Sequence, residues 1–284
     1  MPHLSELVDD IYGLLGKLEH GISIEPDLRP YMDEFLLNIK EAVESWAVPQ
    51  QKGGLRMSNV GRPNRQLWFM LKNGDTQQKE NDPALQFKFL YGHLLEQVAL
   101  LLAKAAGHNV EQTQGQVEVD GIKGHMDAII DGEVVDIKTA APASYLKFVN
   151  GTLPDNDPFG YIAQLSGYES HTGTFDGGFL AINKVSGEMA LYQPDIGSKI
   201  DIKKKISTVK ALAGVDTPPE LCYNDEPHGK AGNMVINRLC RYCDYKEECR
   251  KDTNEGKGLR KFAYASGITH FTHIEKEPNV REVV

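Results

Sequence analysis

The dipeptide Asp131-Gly132 separates two short apolar segments and limits how the chain around it can fold. Asp-Gly between segments of alternating apolar residues is typical of the two-residue turn of a β-hairpin. With these two residues as the loop, Ala128 pairs with Val135 across the hairpin. One face is then apolar, as expected for strands that lie on a core. That face carries Met126, Ala128, Ile130, Val135 and Ile137.

The opposite face of the same hairpin concentrates charge. In this register Asp127 lies directly opposite Asp136, with Cβ atoms roughly 5 Å apart. Lys138 is two residues beyond Asp136 and therefore points to the same face. Because facing carboxylates repel each other, the arrangement predicts a divalent cation between them. The alternative is a solvated face with a chance pair of aspartates.

Two predicted helices add polar groups to this pattern. Residues 84–106 have apolar side chains at helical spacing, and Glu96 falls on or near the buried face. A buried carboxylate is rarely without a partner, although Glu96 could also be an ordinary residue at the helix boundary. Residues 160–169 predict a short helix on which Gln164 and Tyr168 share one face.

The sequence contains three motifs in a definite order: Gly92-x3-Glu96, Asp127-x8-Asp136-x-Lys138 and Gln164-x3-Tyr168. This order resembles the PD-(D/E)XK nuclease superfamily, above all its RecB-like branch, which includes the CRISPR-associated RecB-like exonucleases and phage exonucleases. The resemblance covers residues 92–168, and the overall pattern is typical of a phage-encoded member. It implies an α/β fold of the restriction-endonuclease type, in which helices flank a mixed central sheet. It also implies a metal-dependent exonuclease that hydrolyses single- or double-stranded DNA from its ends in recombination, repair or replication.

The resemblance further implies a role for each motif residue. The implied ligands of Mg²⁺ or Mn²⁺, hard cations that prefer oxygen, are Glu96, Asp127, Asp136 and the backbone carbonyl of Ile137. Lys138 would orient the attacking water or stabilise charge on the phosphate. Gln164 and Tyr168 would act near the substrate backbone. His93 and His125 are expected to be solvated or structural, because the family pattern needs neither.

The cysteines form a second pattern, Cys222-x17-Cys240-x2-Cys243-x5-Cys249, which contains all four cysteines of the chain. Cysteines confined to so short a stretch predict a metal site more than paired disulfides. Because no secretory signal is evident, we expect a reducing compartment, the cytoplasm or, for a phage protein, the host cytoplasm. Four thiolates suit tetrahedral Zn²⁺ or an iron–sulfur cluster.

Several RecB-like nucleases carry a [4Fe-4S] cluster whose last three cysteines have the C-x2-C-x5-C spacing of Cys240, Cys243 and Cys249. Their first cysteine usually lies far upstream, but the comparable segment here, residues 55–65, contains none. Cys222 would therefore replace it. The resemblance favours a [4Fe-4S] cluster that fastens the C-terminal segment to the nuclease core, with Zn²⁺ as the alternative.

The 284 residues, 40% of them hydrophobic, suffice for one core with appendages. We expect a helical N-terminal layer in residues 1–80, the nuclease core in residues 81–215, and a Cys-rich metal-binding segment with a tail in residues 216–284. Helical spacing recurs in residues 4–18 and 31–46. Strand pairs are predicted for residues 179–182 with 189–192, and within residues 262–274.

The net charge of −9 argues against a protein that coats nucleic acid nonspecifically. A nuclease remains compatible with it, because several acids belong to the metal site and a local basic groove suffices for backbone contacts. The predicted groove combines arginines with stacking aromatics: Arg56, Arg62 and Arg65 beside Trp68 and Phe69. The alternative is a helix that buries both aromatics and leaves the arginines in solvent. No membrane partner is expected.

Three other functions compete with the exonuclease. A structure-specific endonuclease, or an enzyme that cuts RNA, would share the fold and the motifs. A catalytically inactive nucleic-acid-binding scaffold would keep the fold, but it has no need of facing carboxylates beside Lys138. In a zinc-ribbon-type interaction protein the charged hairpin would be incidental.

Overall fold

The computed structural model describes residues 2–48, 54–73, 83–241 and 243–283. The helices are α1 (Leu7–Gly16), α2 (Glu25–Leu28), α3 (Met32–Ala47), α4 (Asn64–Asn73), α5 (Pro83–Ala105), α6 (Pro142–Val149), α7 (Tyr161–Thr172), α8 (Ile202–Leu212) and α9 (Lys246–Cys249). Short 3-10 helices occupy Leu4–Glu6, Lys17–His20, Arg29–Tyr31, Pro154–Asn156, Ile196–Ser198 and Arg238–Cys240. Thr253–Gly256 is an irregular turn in which Asn254, Glu255 and Gly256 have positive φ.

The strands are β1 (Val110–Glu111), β2 (Gly115–Val119), β3 (Ile122–Met126), β4 (Ala128–Ile130), β5 (Glu133–Ala140), β6 (Gly178–Asn183), β7 (Met189–Tyr192), β8 (Glu226–His228), β9 (Asn233–Val235), β10 (Arg260–Tyr264), β11 (Gly267–His273) and β12 (Glu282–Val283). No helix within the described ranges is long and apolar enough to span a bilayer.

The chain divides into two compact units. The first consists of Met1–Gly61 and Glu80–Thr208, and the second of Arg62–Lys79 and Val209–Val284. The expected boundary between residues 80 and 81 lies outside the described residues. Helix α4, which we expected in the N-terminal layer, groups with the second unit instead. Its Trp68 donates a hydrogen bond to the carbonyl of Val215 at 2.8 Å, and Phe69 stacks on Tyr245.

A five-stranded mixed sheet forms the centre of the first unit, in the order β1-β4-β5-β6-β7. Strands β5 and β6 are parallel, and the other neighbours are antiparallel. The connection between the parallel strands contains α6 and α7, as parallel pairing requires a crossover. The predicted fold class is confirmed: helices flank a mixed central sheet, and a helical region precedes it.

The predicted hairpin of β4 and β5 is confirmed, with Ala128 paired to Val135. Its loop residues have positive φ, +52° at Asp131 and +90° at Gly132, as a type I′ turn requires. The apolar face of the hairpin joins the main core together with residues from the N-terminus and α5. That core includes Leu4, Leu7, Ile11, Ala99, Leu100, Ala103, Ala128, Ile130, Val135, Ile137, Leu180 and Ile182.

Helices in the N-terminal region are also confirmed. Residues 4–18 contain α1, whose buried side chains are Leu7, Ile11 and Leu14. Residues 31–46 contain most of α3, which packs along α5. A hydrogen bond of 3.1 Å from Trp46 to the carbonyl of Gln86 helps to fix that contact.

The second unit contains a five-stranded antiparallel sheet in the order β12-β10-β11-β9-β8. Strands β10 and β11 confirm the pair predicted within residues 262–274. The other three strands were not predicted, because each has only two or three residues. Val235, Phe262 and Phe271 form the buried centre of this unit.

Candidate active site

Four charged side chains meet where α5 crosses the first sheet. Glu96 projects from α5, Asp127 lies in the bend between β3 and β4, and β5 carries Asp136 and Lys138. Lys138 forms an ion pair with Asp136, and the N–H of Ile137, which lies between them in sequence, donates to the Asp127 carboxylate. The negative charge of Asp136 also raises the pKa of Glu96. The structure therefore brings together the residues of the first two predicted motifs.

Asp136 and Lys138 form an ion pair in which the carboxylate is buried and the lysine is partly buried. The carboxylate of Asp136 is 1% exposed, and its Oδ1 has no hydrogen-bond partner among the described residues. The Lys138 ammonium also lies 4.9 Å from the centre of the Tyr161 ring. Burial lowers the pKa of Lys138, but the negative charges of Asp136 and Asp127 outweigh it and raise that pKa above the ordinary value. Lys138 is thus held as a cation beside an acid with unused acceptor capacity.

Asp127 does not stand free on the hairpin face. Its Oδ2 accepts a hydrogen bond from the backbone N–H of Ile137 at 2.6 Å. Burial raises the pKa of Asp127 well above its usual range, and the charges of Asp136 and Glu96 raise it further. This N–H contact orients the Asp127 carboxylate, whereas a role for the Ile137 carbonyl as a ligand stays a prediction.

Glu96 is buried, at 8% exposure, and its Oε1 accepts two hydrogen bonds. The side-chain amide of Gln97 donates one at 3.1 Å, and that of Gln114 donates the other at 2.6 Å. Burial raises the pKa of Glu96 to about 7, and the negative charge of Asp136 adds to the effect. Sequence reasoning missed Gln114, which lies in a loop without any recognisable motif.

The donor set of this cluster fits a hard divalent cation. Three carboxylates against one ammonium leave an excess of negative charge, which is costly in a buried site unless a cation or protons offset it. Oxygen donors are the ligands that Mg²⁺ and Mn²⁺ prefer. Among the described residues, however, no three His, Cys, Asp or Glu side chains are already arranged to hold an ion. Metal binding at Glu96, Asp127 and Asp136 would therefore require their side chains to converge further.

Gln164 and Tyr168 share one face of α7, and both are buried, Tyr168 at only 1% exposure. Their expected action near the substrate backbone stays a prediction. The Gln164 amide donates to the Tyr168 hydroxyl at 2.6 Å, which in turn donates to the carbonyl of His125 at 2.6 Å. Hairpin β2–β3 packs on α7 and covers this face. The pair thus connects α7 to β3, two residues before Asp127.

The two histidines are exposed, as expected for solvated side chains. His125 is exposed on β3. The Nδ1 of His93 is 3.9 Å from the nearer oxygen of Glu96, beyond hydrogen-bond distance, and its side chain is half-exposed.

The predicted patch of arginines and aromatics is divided in the structure. Trp68 and Phe69 are buried within the second unit, as in the alternative of core aromatics, but Arg65 is not left in solvent as that alternative expected. Arg65 lies over the ring of Phe69, donates to Cys249 Sγ at 3.1 Å and donates to the carbonyl of Pro219. Its guanidinium is thus used inside the unit. Arg62 is half-buried in the same unit, whereas Arg56 belongs to the first unit and is exposed.

The four cysteines gather in the second unit as partly buried free thiols. Burial raises the pKa of Cys240 to about 12, and the three other thiols contribute to the shift. Burial likewise raises the pKa of Cys243 to about 11. The Cys222 sulfur lies at the start of α4, where the N–H groups of Arg65 and Gln66 donate to it. Thus Cys222 adjoins the end of the segment that lacks the expected upstream cysteine.

The donor set of four neighbouring thiols fits a thiolate-bound metal or cluster, because such ligands suit both Zn²⁺ and iron–sulfur centres. Within the part of the chain that the structure describes, however, these thiols are not arranged to hold a metal ion. The raised thiol pKa values have the same physical causes as those of the acids, namely burial and the proximity of like groups.

Comparison with known proteins yields only distant structural likeness. No family model and no curated protein sequence matches the chain. The crystal structure of SSO0001 has a TM-score of 0.39 and 17% identity, covering 66% of this chain and 88% of its own. An alkaline exonuclease from Laribacter hongkongensis has a TM-score of 0.34 and 12% identity, with coverages of 55% and 89%. A phage-related exonuclease from Haemophilus somnus 129PT has a TM-score of 0.38 and 14% identity, with coverages of 56% and 93%. Likeness at this level assigns no activity to the chain.

Proposed function

We propose that this chain is a divalent-metal-dependent nuclease that hydrolyses phosphodiester bonds of DNA from strand ends. The observation that carries the proposal is the meeting of Glu96, Asp127 and Asp136 with Lys138 beside the central strand of the first sheet. A purely structural cluster would pair its charges, whereas this one has an excess of carboxylates and an unused oxygen on Asp136. The proposal that the enzyme acts at DNA ends, and not at internal sites, rests on the resemblance of the motifs.

The acids would hold Mg²⁺ or Mn²⁺ in this account. When bound, the ion supplies positive charge that stabilises the negative charge developing on the phosphate. The hydrogen bond from the Ile137 N–H orients the carboxylate of Asp127, and the hydrogen bond from the Gln114 amide orients that of Glu96. These bonds hold two of the three carboxylates in defined orientations before substrate arrives.

Lys138 would act on the substrate directly. Its ammonium, kept protonated by Asp136, can donate a hydrogen bond to a phosphate oxygen and so favour the charged transition state. The buried chain from Gln164 through Tyr168 to the His125 carbonyl would position the strand that leads to Asp127. In this role Tyr168 is a positioning residue.

The test compares linear and closed circular DNA, with Mg²⁺, Mn²⁺ or EDTA, for wild type, Lys138→Ala and the control Lys40→Ala. Lys40 is an exposed lysine of α3, far along the chain from the motifs. We expect metal-dependent loss of end label that spares the circle, persists in Lys40→Ala and is lost in Lys138→Ala. Cutting of the circular DNA would show that the enzyme is an endonuclease and not an exonuclease. Absence of cutting under every condition would contradict the nuclease.

The four cysteines are proposed to hold a [4Fe-4S] cluster, with Zn²⁺ as the alternative. Support comes from the proximity of four unpaired thiols and from the spacing of Cys240, Cys243 and Cys249. Iron, acid-labile sulfide and zinc should be measured in protein purified without oxygen, and in Cys243→Ser. Protein that contains neither metal, and whose stability is unchanged in Cys243→Ser, would contradict this assignment.

A further inference from the structure

The charge of the chain is divided unequally between its two units. The residue ranges of the second unit contain 16 of the 31 lysines and arginines but only 13 of the 40 aspartates and glutamates, which gives a formal net charge of +3. The first unit, with 15 basic and 27 acidic residues, has a formal net charge of −12. Because contact with the phosphates of nucleic acid needs positive charge, the second unit is the part of the chain whose charge suits a polyanion.

Ion pairs inside the second unit already occupy some of its cations. Arg250 pairs with Asp225 at 2.6 Å. Arg260 pairs with both Glu277 and Glu282. Each of these arginines has an acidic partner within the unit, so neither is free to bind an external anion.

The turn that follows β9 presents two arginines differently. Arg238 begins a short 3-10 helix and Arg241 follows that helix directly, with its N–H donating to the Arg238 carbonyl at 3.3 Å. Because three residues complete one turn of a 3-10 helix, the two side chains lie on the same side. Both arginines are exposed, and neither forms an ion pair with a described residue. Two guanidinium groups therefore face solvent from one side of this turn.

Lys246 adds a third cation where α9 begins. It is partly exposed, and it also forms no ion pair with a described residue. The neighbouring Glu247 pairs with Lys261 at 3.0 Å, which brings the start of α9 beside β10. Lys261 is in turn the cross-strand partner of His270 on β11. The three cations that have no such pair, Arg238, Arg241 and Lys246, together form the basic turn.

His270 reports on the charge around it. Burial lowers the pKa of His270, the positive charges of Lys246, Lys261 and Arg241 lower it further, and the negative charge of Glu247 opposes them. Its Nδ1 is buried and has no hydrogen-bond partner among the described residues. Around this imidazole, three cations therefore act against one carboxylate.

Other acids of the same stretch are directed to groups of the protein. The carboxylate of Glu226 accepts the backbone N–H of Arg238 at 3.2 Å. Glu248 pairs with Lys251 at 2.9 Å. Asp244 also belongs to this stretch, and its charge raises the pKa of the adjacent cysteine thiol. Because Glu226 and Glu248 are engaged by protein donors, the side chains of the basic turn remain available to an external anion.

The aromatic residues of the second unit indicate which form of nucleic acid suits this surface. Trp68, Phe69, Phe262 and Phe271 are buried, and none of the described Phe, Tyr or Trp side chains of the unit is exposed. A single strand binds largely by stacking its bases on exposed rings, whereas a duplex offers its phosphate backbone to cations. Duplex DNA carries one negative charge per about 1.7 Å of its axis. The surface therefore suits the backbone of a duplex.

We propose that the basic turn, with Lys261 on β10 beside it, binds the phosphate backbone of duplex DNA. The identity of this ligand rests on the proposed function, but the surface contains none of the motif residues of the candidate active site. It gives a chain whose net charge is negative a local site of attachment to its substrate. Because the contacts are to the backbone, binding is independent of base sequence.

The salt dependence of duplex binding tests this without catalysis. Anisotropy of a short labelled DNA duplex is measured with the full chain at several salt concentrations, without added divalent cation. Each phosphate contact contributes about 0.9 to the slope of log affinity against log salt, so Arg238→Gln with Arg241→Gln should lower that slope by about two and weaken binding about tenfold. Lysine at both positions should keep most of the slope. The control Lys230→Gln with Lys276→Gln removes two exposed lysines near the turn between β8 and β9 and should resemble wild type.

Three outcomes would overturn the proposal. The first is an unchanged slope in the double glutamine variant of the basic turn. The second is an equal fall in the control pair, which would show an effect of net charge alone. The third is weaker binding of single-stranded DNA with duplex binding intact. Metal content and thermal unfolding are measured for every variant, and if the double variant is not folded, Lys246→Gln alone should lower the slope by about one.

Hydrolysis by the same variants separates this proposal from the nuclease itself. In an active enzyme, Arg238→Gln with Arg241→Gln should raise KM for duplex DNA about tenfold and change kcat less. An active nuclease whose KM and salt slope are unchanged in that variant would refute the basic turn and leave the proposed function standing. A chain that binds duplex DNA through the basic turn but never cuts it would support the surface and refute the proposed function.

Discussion

The carboxylate of Asp127 accepts a hydrogen bond from the backbone N–H of Ile137 at 2.6 Å, across the hairpin that carries both acids of the second motif. This bond ties the bend after β3 to the middle of β5. Because Asp136 and Lys138 flank Ile137 in sequence, the bond fixes the geometry of one acid relative to the other acid and the lysine.

The raised pKa of Glu96 predicts a stability that depends on pH in metal-free protein. Its pKa is about 7 in the folded chain against an ordinary value of 4.5, so folding favours the protonated acid. The resulting stabilisation is present below the unfolded pKa and is lost as the pH rises through about 7. Urea unfolding should therefore show wild type losing stability between about pH 5 and pH 8. Glu96→Gln should make the stability depend less on pH, whereas the control Glu41→Gln should not. If Glu96→Gln lost stability as steeply as wild type, the pH dependence would come from another group.

Bound metal should reverse the pH dependence of the stability. A cation at the cluster requires ionised carboxylates, so Mn²⁺ affinity should rise with pH through about 7 and Mn²⁺ should stabilise the chain most at high pH. Unfolding in the presence of Mn²⁺ measures the effect. Stabilisation that is equal at low and high pH would place the ion away from Glu96.

Removal of the Tyr168 hydroxyl should lower the stability of the chain but should not abolish its activity. Tyr168→Phe leaves the buried Gln164 amide and the His125 carbonyl without their partner. We expect a loss of about 1–3 kcal/mol in the free energy of unfolding, together with a smaller loss of activity than in Lys138→Ala. The control Tyr91→Phe alters an exposed tyrosine of α5. Normal stability with abolished activity in Tyr168→Phe would instead give the hydroxyl a direct role with substrate.

Substitution of Arg65 and of Arg56 tests which of the two arginines contacts DNA. Arg65→Gln removes the bond to Cys249 Sγ and the stacking on Phe69, so it should lower the thermal stability and metal content of the second unit. Arg56→Gln changes an exposed side chain and should affect DNA affinity alone if that residue binds DNA. If Arg65→Gln kept its full metal content but bound DNA more weakly, Arg65 would instead be a residue that contacts nucleic acid.

Gly124 lies where β3 packs against Met57, and a larger residue should not fit. A Cβ built at Gly124 would be 2.6 Å from the Cβ of Met57, which cannot rotate away. Gly124→Ala should therefore destabilise the chain by about 1–3 kcal/mol. Gly13→Ala is the control, because its Cβ would meet nothing within 4 Å in the middle of α1. Equal stability of the two variants in urea unfolding would contradict the packing described.

The sequence predicted those parts of the fold that local patterns determine. The register of β4 and β5 follows from the Asp131-Gly132 turn and the alternation of apolar residues, because a slip of one residue would reverse both faces. The buried position of Glu96 follows from the helical period of α5. These patterns also explain why the charged residues of two motifs meet.

Long-range packing explains what the sequence did not reveal. The helical spacing placed Gln164 and Tyr168 on one face correctly, but no local pattern indicates that β2 and β3 cover that face. Similarly, α4 joins the second unit through contacts such as Trp68 with Val215, which are distant in sequence. Gln114 reaches Glu96 from a loop residue with a φ of +54°, and no motif marks such a residue.

The most direct test of the central claim measures Mn²⁺ binding and DNA hydrolysis in the same preparation, for wild type and Asp136→Asn. Asp136 is the acid whose Oδ1 has no partner in the described structure, and asparagine preserves its shape. The account predicts that wild type binds Mn²⁺ and cuts DNA only with the metal, and that Asp136→Asn, still folded, loses both by about a hundredfold or more. Hydrolysis at the wild-type rate by folded Asp136→Asn would contradict the account.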